Sequence, residues 1–138
     1  MISKTLCIIK PSAVKENLVG KILSRIENAG FRISGLKMIR LDLEKAKQFY
    51  SVHEDKSFFN ALAEYMASGQ IVVSCLEKIN AVEDYRKLIG HTNPESAEEG
   101  TLRKLYGISL QKNAVHGSDS DENAIKEINF FFGKHEIF

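Results

Sequence analysis

The sequence carries no surplus of either charge: 19 Lys and Arg stand against 18 Asp and Glu, a net charge of +1. Proteins that hold nucleic acid by its phosphates usually show a strong basic excess, so the balance argues against that class, a local basic patch aside. Long apolar runs are missing too. None approaches the roughly 18 residues that a membrane span requires. The opening Met1-Ile2-Ser3-Lys4 has no long apolar stretch followed by a small-residue cleavage site, so no secretory signal is expected. Cysteine is scarce. Cys7 and Cys75 lie in apolar, strand-like runs without a metal-spaced partner, which reads as buried reduced thiols in a cytosolic protein; a disulfide or a reactive thiol is the alternative. Internal repeats, low-complexity tracts and Pro/Ser-rich linkers are absent, so one continuous domain over residues 1–138 is expected.

The common phosphate and metal motifs are also lacking. A P-loop needs a glycine five residues before its Gly-Lys pair; Gly20-Lys21 has Lys15 there, and Ile22 where Ser or Thr should follow. No G-x-G-x-x-G occurs, which excludes the dinucleotide fingerprint and the protein-kinase glycine loop. His53-Glu54 and His135-Glu136 have no second histidine at zinc-protease spacing. Any nucleotide chemistry here uses another device.

What is present is a regular alternation of strand and helix signals. Residues 5–9 form a nearly all-apolar, β-branched run, the pattern of a strand buried on both faces, and Lys10-Pro11 interrupts it. Val19, Ile22, Leu23 and Ile26 recur at helical spacing until Gly30. Residues 31–41 read as a second strand that Gly35 disturbs. Helices are expected over about 43–52 and 57–67, the latter with Phe59, Leu62 and Met66 on one stripe and Gly69 closing it. A third buried strand covers 71–76. Asn80 and Glu83 suggest a capping pair for a helix turning Val82, Tyr85 and Ile89 inward. An irregular stretch then runs to about residue 111, with a short helix near Leu102, before a last strand at 113–116. The final helix places Ala124, Ile125, Ile128, Phe131 and Phe132 on one face, with Asp119, Asp121 and Glu122 suited to its N-terminus. This order implies an α+β or split-βαβ arrangement with an antiparallel option.

One segment stands out chemically: Asn113-Ala114-Val115-His116-Gly117-Ser118-Asp119-Ser120. It sets a histidine between an apolar strand and a Gly-Ser-Asp turn that opens an acidic helix. Imidazole is a competent nucleophile near neutral pH. Gly117 is expected to leave room beside the ring, and Glu127 to reach back and orient one ring nitrogen. A single histidine in a turn is more often a solvated surface residue, but the whole string resembles the active-site segment of nucleoside diphosphate kinases. Ile8-Ile9-Lys10-Pro11, Leu18-Val19-Gly20, Gly30-Phe31, Phe49-Tyr50, Phe58-Phe59, Gly90-His91-Thr92-Asn93-Pro94 and Gly100-Thr101-Leu102-Arg103 resemble that family in order along the chain.

The resemblance implies a ferredoxin-like βαββαβ sandwich with an antiparallel sheet, added helices and a long loop before the catalytic strand. It implies that His116 is phosphorylated by a nucleoside triphosphate and then phosphorylates a diphosphate, a ping-pong route. By the same resemblance Arg86 and Arg103 bind phosphates, Thr92 adds a hydrogen bond, and Lys10 and Asn113 read the ribose and help position the terminal phosphate. Phe58 stacks on the base without choosing it, Tyr50 supports transfer or local order, and Ser118 and Glu127 hold His116 in register. Mg2+ is expected on the phosphates, with no dedicated protein metal cage. A cytoplasmic homo-oligomer, tetramer or hexamer, is implied, with no membrane and no specific nucleic-acid partner. The chain departs from the family pattern at Lys104-Leu105-Tyr106, where a small residue, an acid and an aromatic are expected, and at Ser57, where proline often stands. The competing readings are a catalytically weak regulatory or binding module with the same fold, and a histidine phosphocarrier to protein acceptors.

Overall fold

Four antiparallel strands in the order β2-β3-β1-β4 make one sheet, seen in a computed structural model that describes residues 1–138. In chain order the elements are β1 (Ile2–Ile9), α1 (Pro11–Lys15), α2 (Val19–Asn28), β2 (Arg32–Arg40), α3 (Leu43–Phe49), α4 (Phe59–Met66), β3 (Gln70–Ile79), α5 (Ala81–Ile89), α6 (Leu102–Tyr106), β4 (Val115–Gly117) and α7 (Asp121–Phe131). Short 3-10 turns sit at Ser51–His53, Pro94–Ser96 and Lys134–Glu136. The connectivity is the ferredoxin-like βαββαβ core, with α3 and α4 inserted between β2 and β3 and the loop from Gly107 to Ala114 preceding β4.

Both faces of the sheet are covered, which explains why β1 and β3 read as unbroken apolar runs. Cys7, Ile9, Val72 and Leu76 meet Ile22 and Ile26 of α2 and Tyr85 and Ile89 of α5 on one face. Leu6, Ile8, Val73 and Cys75 meet Ala46 of α3, Met66 of α4 and Ile128 of α7 on the other. The two thiols thus project from opposite faces and are free. Burial pushes the Cys7 thiol up to about 11, so neither the disulfide nor a reactive Cys7 survives as a reading.

Several local expectations change. The residues after Lys10 fold into α1, because proline is well suited to the first helical position. Gly35 lies at a bulge in β2, where an added Cβ would come within 3.1 Å of the Phe132 ring and of the Glu136 carbonyl oxygen. Asn80 precedes α5 with φ at +56° and makes no side-chain cap. The left-handed backbone turns its amide away, and the Ser3 hydroxyl accepts from Ala81 N–H instead, at 3.0 Å. Helix α4 ends at Met66 without using Gly69, and its Phe59 and Leu62 are only partly covered. Ile125 is exposed: at about 100° per residue it lies about a sixth of a turn outside the stripe of Ala124, Ile128 and Phe131. Ser120 caps α7 by accepting from Asn123 N–H, which places Asp119 just before the helix and not in its first turn.

Candidate functional site

Period-two alternation in β4 decides where the site forms. Val115 enters the core under α5, so His116 points to the opposite face, where Ile8 is its strand partner and α7 lies across the sheet. Ser118 follows two residues later on the same side. Both reach Glu127 of α7: His116 Nε2 donates to Glu127 Oε1 at 2.9 Å, and Ser118 Oγ donates to the same oxygen at 2.7 Å. Ser118 Oγ in turn accepts from Leu6 N–H at 3.2 Å, which fixes the relay to the central strand. A carboxylate only accepts hydrogen bonds, so its bond to Nε2 leaves the lone pair of the imidazole on Nδ1. The Phe49 ring stands edge-on to the imidazole, centroids 5.5 Å apart, and closes off one side.

Gly117 has a different role from the expected one. A Cβ there would lie 3.0 Å from Tyr85 and Ile89. The missing side chain therefore lets α5 pack against β4 on the far face, and the room it makes is not beside the histidine.

The backbone entering β4 is strained. Ala114 has φ of +77°, and Val115 N–H donates across it to the Asn113 carbonyl at 3.0 Å, a three-residue γ-turn. Lys10 N–H grips the Ala114 carbonyl at 2.8 Å and helps to hold that geometry. The same turn aims the Asn113 amide inward. Lys10 Nζ donates to Asn113 Oδ1 at 2.8 Å, and Asn113 Nδ2 donates to the Thr92 carbonyl at 2.9 Å. Lys10 is 7% exposed and has no carboxylate partner. Burial, and after it the Arg103 charge, bring its ammonium down to about 7.

A cleft of about 420 Å³ opens over His116. Tyr50, Arg86, Thr92, Arg103, His116 and Glu127 line it together. Ser118, Lys10 and Asn113 are buried and not among its lining residues, with Asn113 bonded to the lining residue Thr92. Phe58 is not among the lining residues: it is half exposed and packs on the His53 ring, centroids 5.6 Å apart, while His53 itself faces the cleft. Tyr50 is buried with its hydroxyl unpartnered, and burial together with the nearby Glu127 charge pushes that hydroxyl up.

Arg103 has structural partners as well as a place in the cleft lining. Its two terminal nitrogens donate to the Gly90 and Val115 carbonyls at 3.1 and 3.0 Å, and its buried Nε has no partner. Burial lowers its pKa from the usual guanidinium range. Arg103 therefore braces the strand carrying His116, with one N–H of each terminal nitrogen given to a carbonyl and the second N–H of each left over. Arg86 is exposed, with no hydrogen bond or ion pair, and both edges of its fork are free. Phe49, His53, Asp119, Asn123 and Lys126 are among the further lining residues, none of them singled out as a site residue from the sequence. Asn123 was within reach of sequence reasoning, since it precedes Glu127 by four residues on a helix.

No group of three or more His, Cys, Asp or Glu side chains is placed to hold a metal ion. No helix is long and apolar enough to cross a membrane.

A family profile described as nucleoside diphosphate kinase matches residues 3–137. A nucleoside diphosphate kinase of Lawsonia intracellularis is 54% identical over 132 residues, 96% of each chain, and one of Persephonella marina is 51% identical over 136 residues, 99% of this chain and 97% of its own. Among solved structures, the Aquifex aeolicus nucleoside diphosphate kinase superposes with a TM-score of 0.98 at 42% identity over the whole of both chains. A halophilic relative from Halobacterium salinarum, solved in complex with CDP, gives 0.95 at 35% identity, covering 100% of this chain and 92% of its own.

Proposed function

The chain belongs to the nucleoside diphosphate kinase family and carries out its reaction, moving the terminal phosphate of a nucleoside triphosphate to a nucleoside diphosphate by a ping-pong route, and we propose that His116 is the group phosphorylated in between. The observation that carries this is the bond from His116 Nε2 to Glu127, which leaves a lone pair on Nδ1 beside a cleft with free cationic donors.

In the first half-reaction the Nδ1 lone pair attacks the γ-phosphorus. The bond from phosphorus to the bridging β-γ oxygen breaks, and the electron pair leaves with the diphosphate. In the second, a terminal phosphate oxygen of another diphosphate takes the phosphoryl group, and the electron pair of the N–P bond returns to Nδ1. Phosphoryl transfer asks mainly for alignment and charge neutralisation. Glu127, bonded to Ser118, aligns the ring and stabilises the cation that forms on it. Arg86 supplies a bidentate phosphate contact, Arg103 a contact through an N–H of its terminal nitrogens that the Gly90 and Val115 carbonyls do not use, and Thr92 its unbonded hydroxyl. Lys10 and Asn113 address the ribose hydroxyls and the terminal phosphate, and Tyr50 packs behind the histidine. Phe58, exposed and edge-supported by His53, offers a base platform that accepts any π-face. The CDP bound to the halobacterial relative supports a nucleoside diphosphate as the occupant.

Mg2+ would arrive with the nucleotide, held by its phosphates and water, and would there screen the charge of the transferring group beside Arg86 and Arg103. We further read residues 1–138 as one domain, acting in the cytoplasm as a homo-oligomer, tetramer or hexamer. The apolar Leu36 and Met38 exposed on edge strand β2 support assembly.

The test is brief incubation with γ-labelled ATP and Mg2+, followed by a chase with GDP or dTDP. Acid-labile label is expected on His116, moving to either diphosphate, and His116→Ala is expected to abolish transfer with the fold intact. Substantial turnover in that variant would end the nucleophile assignment. Label that moves only to a protein acceptor would favour a phosphocarrier.

A further inference from the structure

Between α6 and β4 the chain is fastened at its two ends. Gly107 N–H donates to the Arg103 carbonyl at 2.9 Å, and Gly107 lies so close to Pro94 that a Cβ on it would come within 2.5 Å of that ring. Asn113, at the other end, is buried and bonded to Lys10 and Thr92. The residues from Ile108 to Lys112 close on themselves as a tongue: Ile108 N–H donates to the Lys112 carbonyl at 2.8 Å, and Lys112 N–H to Ser109 Oγ at 3.1 Å. Burial does not hold this tongue, since Ile108 is 66% and Leu110 60% exposed. One hydrogen bond joins it to another element: Gln111 Nε2 donates to the Ala61 carbonyl of α4 at 3.1 Å.

Both ends of that bond lie near groups that meet the nucleotide. Ala61 stands in the first turn of α4, just after Phe58, and Gln111 shortly precedes Asn113. The start of α4 has little else to steady it. No side chain caps it, and Phe59 and Leu62 are only partly covered. Uncapped first turns fray, because their amides have no partner within the helix. Asn113 is the fixed partner of the two, so the Gln111 amide anchors the turn that follows Phe58 to a segment already pinned in the core. Base and ribose are joined by a bond of fixed length, and contacts to both add up only when the protein groups are held at a matching separation.

We propose that Gln111 is a positioning residue: its amide latches the tongue to α4 and keeps the Phe58 platform aligned with Asn113, so that a nucleotide need not order the two segments on arrival. This rests on the readings of Phe58 as base platform and Asn113 as ribose ligand.

Gln111→Ala and Gln111→Met test it, the second keeping length and bulk without a donor. KM and kcat are read with GDP, with CDP, and with ribose 5-diphosphate, an acceptor that has no base. Both variants are expected to raise KM for GDP and CDP about threefold, in the range of one hydrogen bond, with kcat and the KM for ribose 5-diphosphate unchanged. In a Phe58→Ala background Gln111→Met is expected to add nothing, because the platform it aligns is gone. Amide hydrogen exchange across the tongue and the first turn of α4 is expected to quicken in both variants, with the thermal transition of the fold preserved. Wild-type KM values in Gln111→Met, an equal loss for ribose 5-diphosphate, a fall in kcat alone, the same loss in both backgrounds, or unchanged exchange would each overturn the proposal. A Phe58→Ala variant with wild-type KM for GDP and CDP would instead remove the platform reading, leaving Gln111 nothing to align.

Discussion

Replacing Lys10 by methionine is expected to make the protein more stable in mild acid while disabling it. Lys10 is buried against a neutral amide with no carboxylate to offset its charge, and its ammonium titrates near 7 where a free lysine titrates near 10.5. At about 1.4 kcal/mol per tenfold change in proton affinity, holding that ammonium protonated in the fold costs on the order of 5 kcal/mol. The folded-state pKa is depressed, so between about pH 7 and 10.5 the unfolded chain binds the proton and the folded chain does not. Stability contributed by this site therefore rises with pH across that window, and the whole cost is present below it. Methionine removes the cost but leaves Asn113 Oδ1 without its donor, a loss of roughly 1–3 kcal/mol. The variant should be more stable than the parent by roughly 2–4 kcal/mol at pH 6, combining these two terms. The order should reverse above pH 10.5, where only the lost hydrogen bond remains. Urea unfolding at pH 6, 8 and 10.5, with unchanged m values, reads the difference directly. A variant less stable than the parent at pH 6, or a difference that does not move with pH, would refute the reasoning. The corollary for function is proton uptake: a nucleotide phosphate arriving near Lys10 favours its charged form. Calorimetry near pH 8 in two buffers of different ionisation enthalpy should then show up to about one proton bound per nucleotide.

Two other substitutions isolate single features of the site. Ser118→Ala strips Glu127 of one donor and Leu6 N–H of its acceptor inside the sheet; a loss of roughly 1–3 kcal/mol in thermal stability and a slower rate of enzyme phosphorylation are expected, and wild-type values in both assays would contradict the relay. Phe58→Ala should raise KM by roughly 5- to 100-fold, as loss of a stacking partner does, and by similar factors for GDP, CDP and dTDP. A loss confined to one base in steady-state kinetics would contradict a stacking platform.

The core was readable because burial leaves its mark in periodicity. The run from Leu6 to Ile9 is apolar throughout because both sheet faces are covered, and the spacing of Ile22 and Ile26 follows the face that α2 turns inward. Nucleotide chemistry was legible only through the resemblance of the segment from Asn113 to Ser120 and its companions to a known family, since a single histidine in a turn is more often a surface residue; the convergence of His116, Ser118 and Glu127 became visible in the fold. What escaped depended on backbone angles or on where a long side chain ends. Asn80 has the right residue type for a cap, but a positive φ removes its amide from the helix end. Gly117 looked like space for the imidazole, yet the pleat turns its open side toward Tyr85. The phosphate role of Arg103 came from the resemblance, which gave no sign that the Gly90 and Val115 carbonyls, thirteen residues before it and twelve after, accept from its terminal nitrogens. The cleft location of Asp119 has no periodic signature, since it precedes its helix in a turn.

The placing of β1 at the centre of the sheet also bears on how the chain reaches its fold. This strand is made well before its partners, residues 72–79 on one side and 115–117 on the other. Closing such wide loops precedes any reward from pairing, which slows folding relative to hairpin-first topologies. During synthesis the apolar run from Leu6 to Ile9 must wait, unpaired, for most of the chain to leave the ribosome, a period in which it is open to aggregation and to chaperones. Catalytic competence comes later still. Lys10 meets Asn113, and Leu6 meets Ser118, only when the last quarter of the chain has been added. No shorter nascent fragment can hold the histidine in register, so the active site doubles as a checkpoint on completion of the fold.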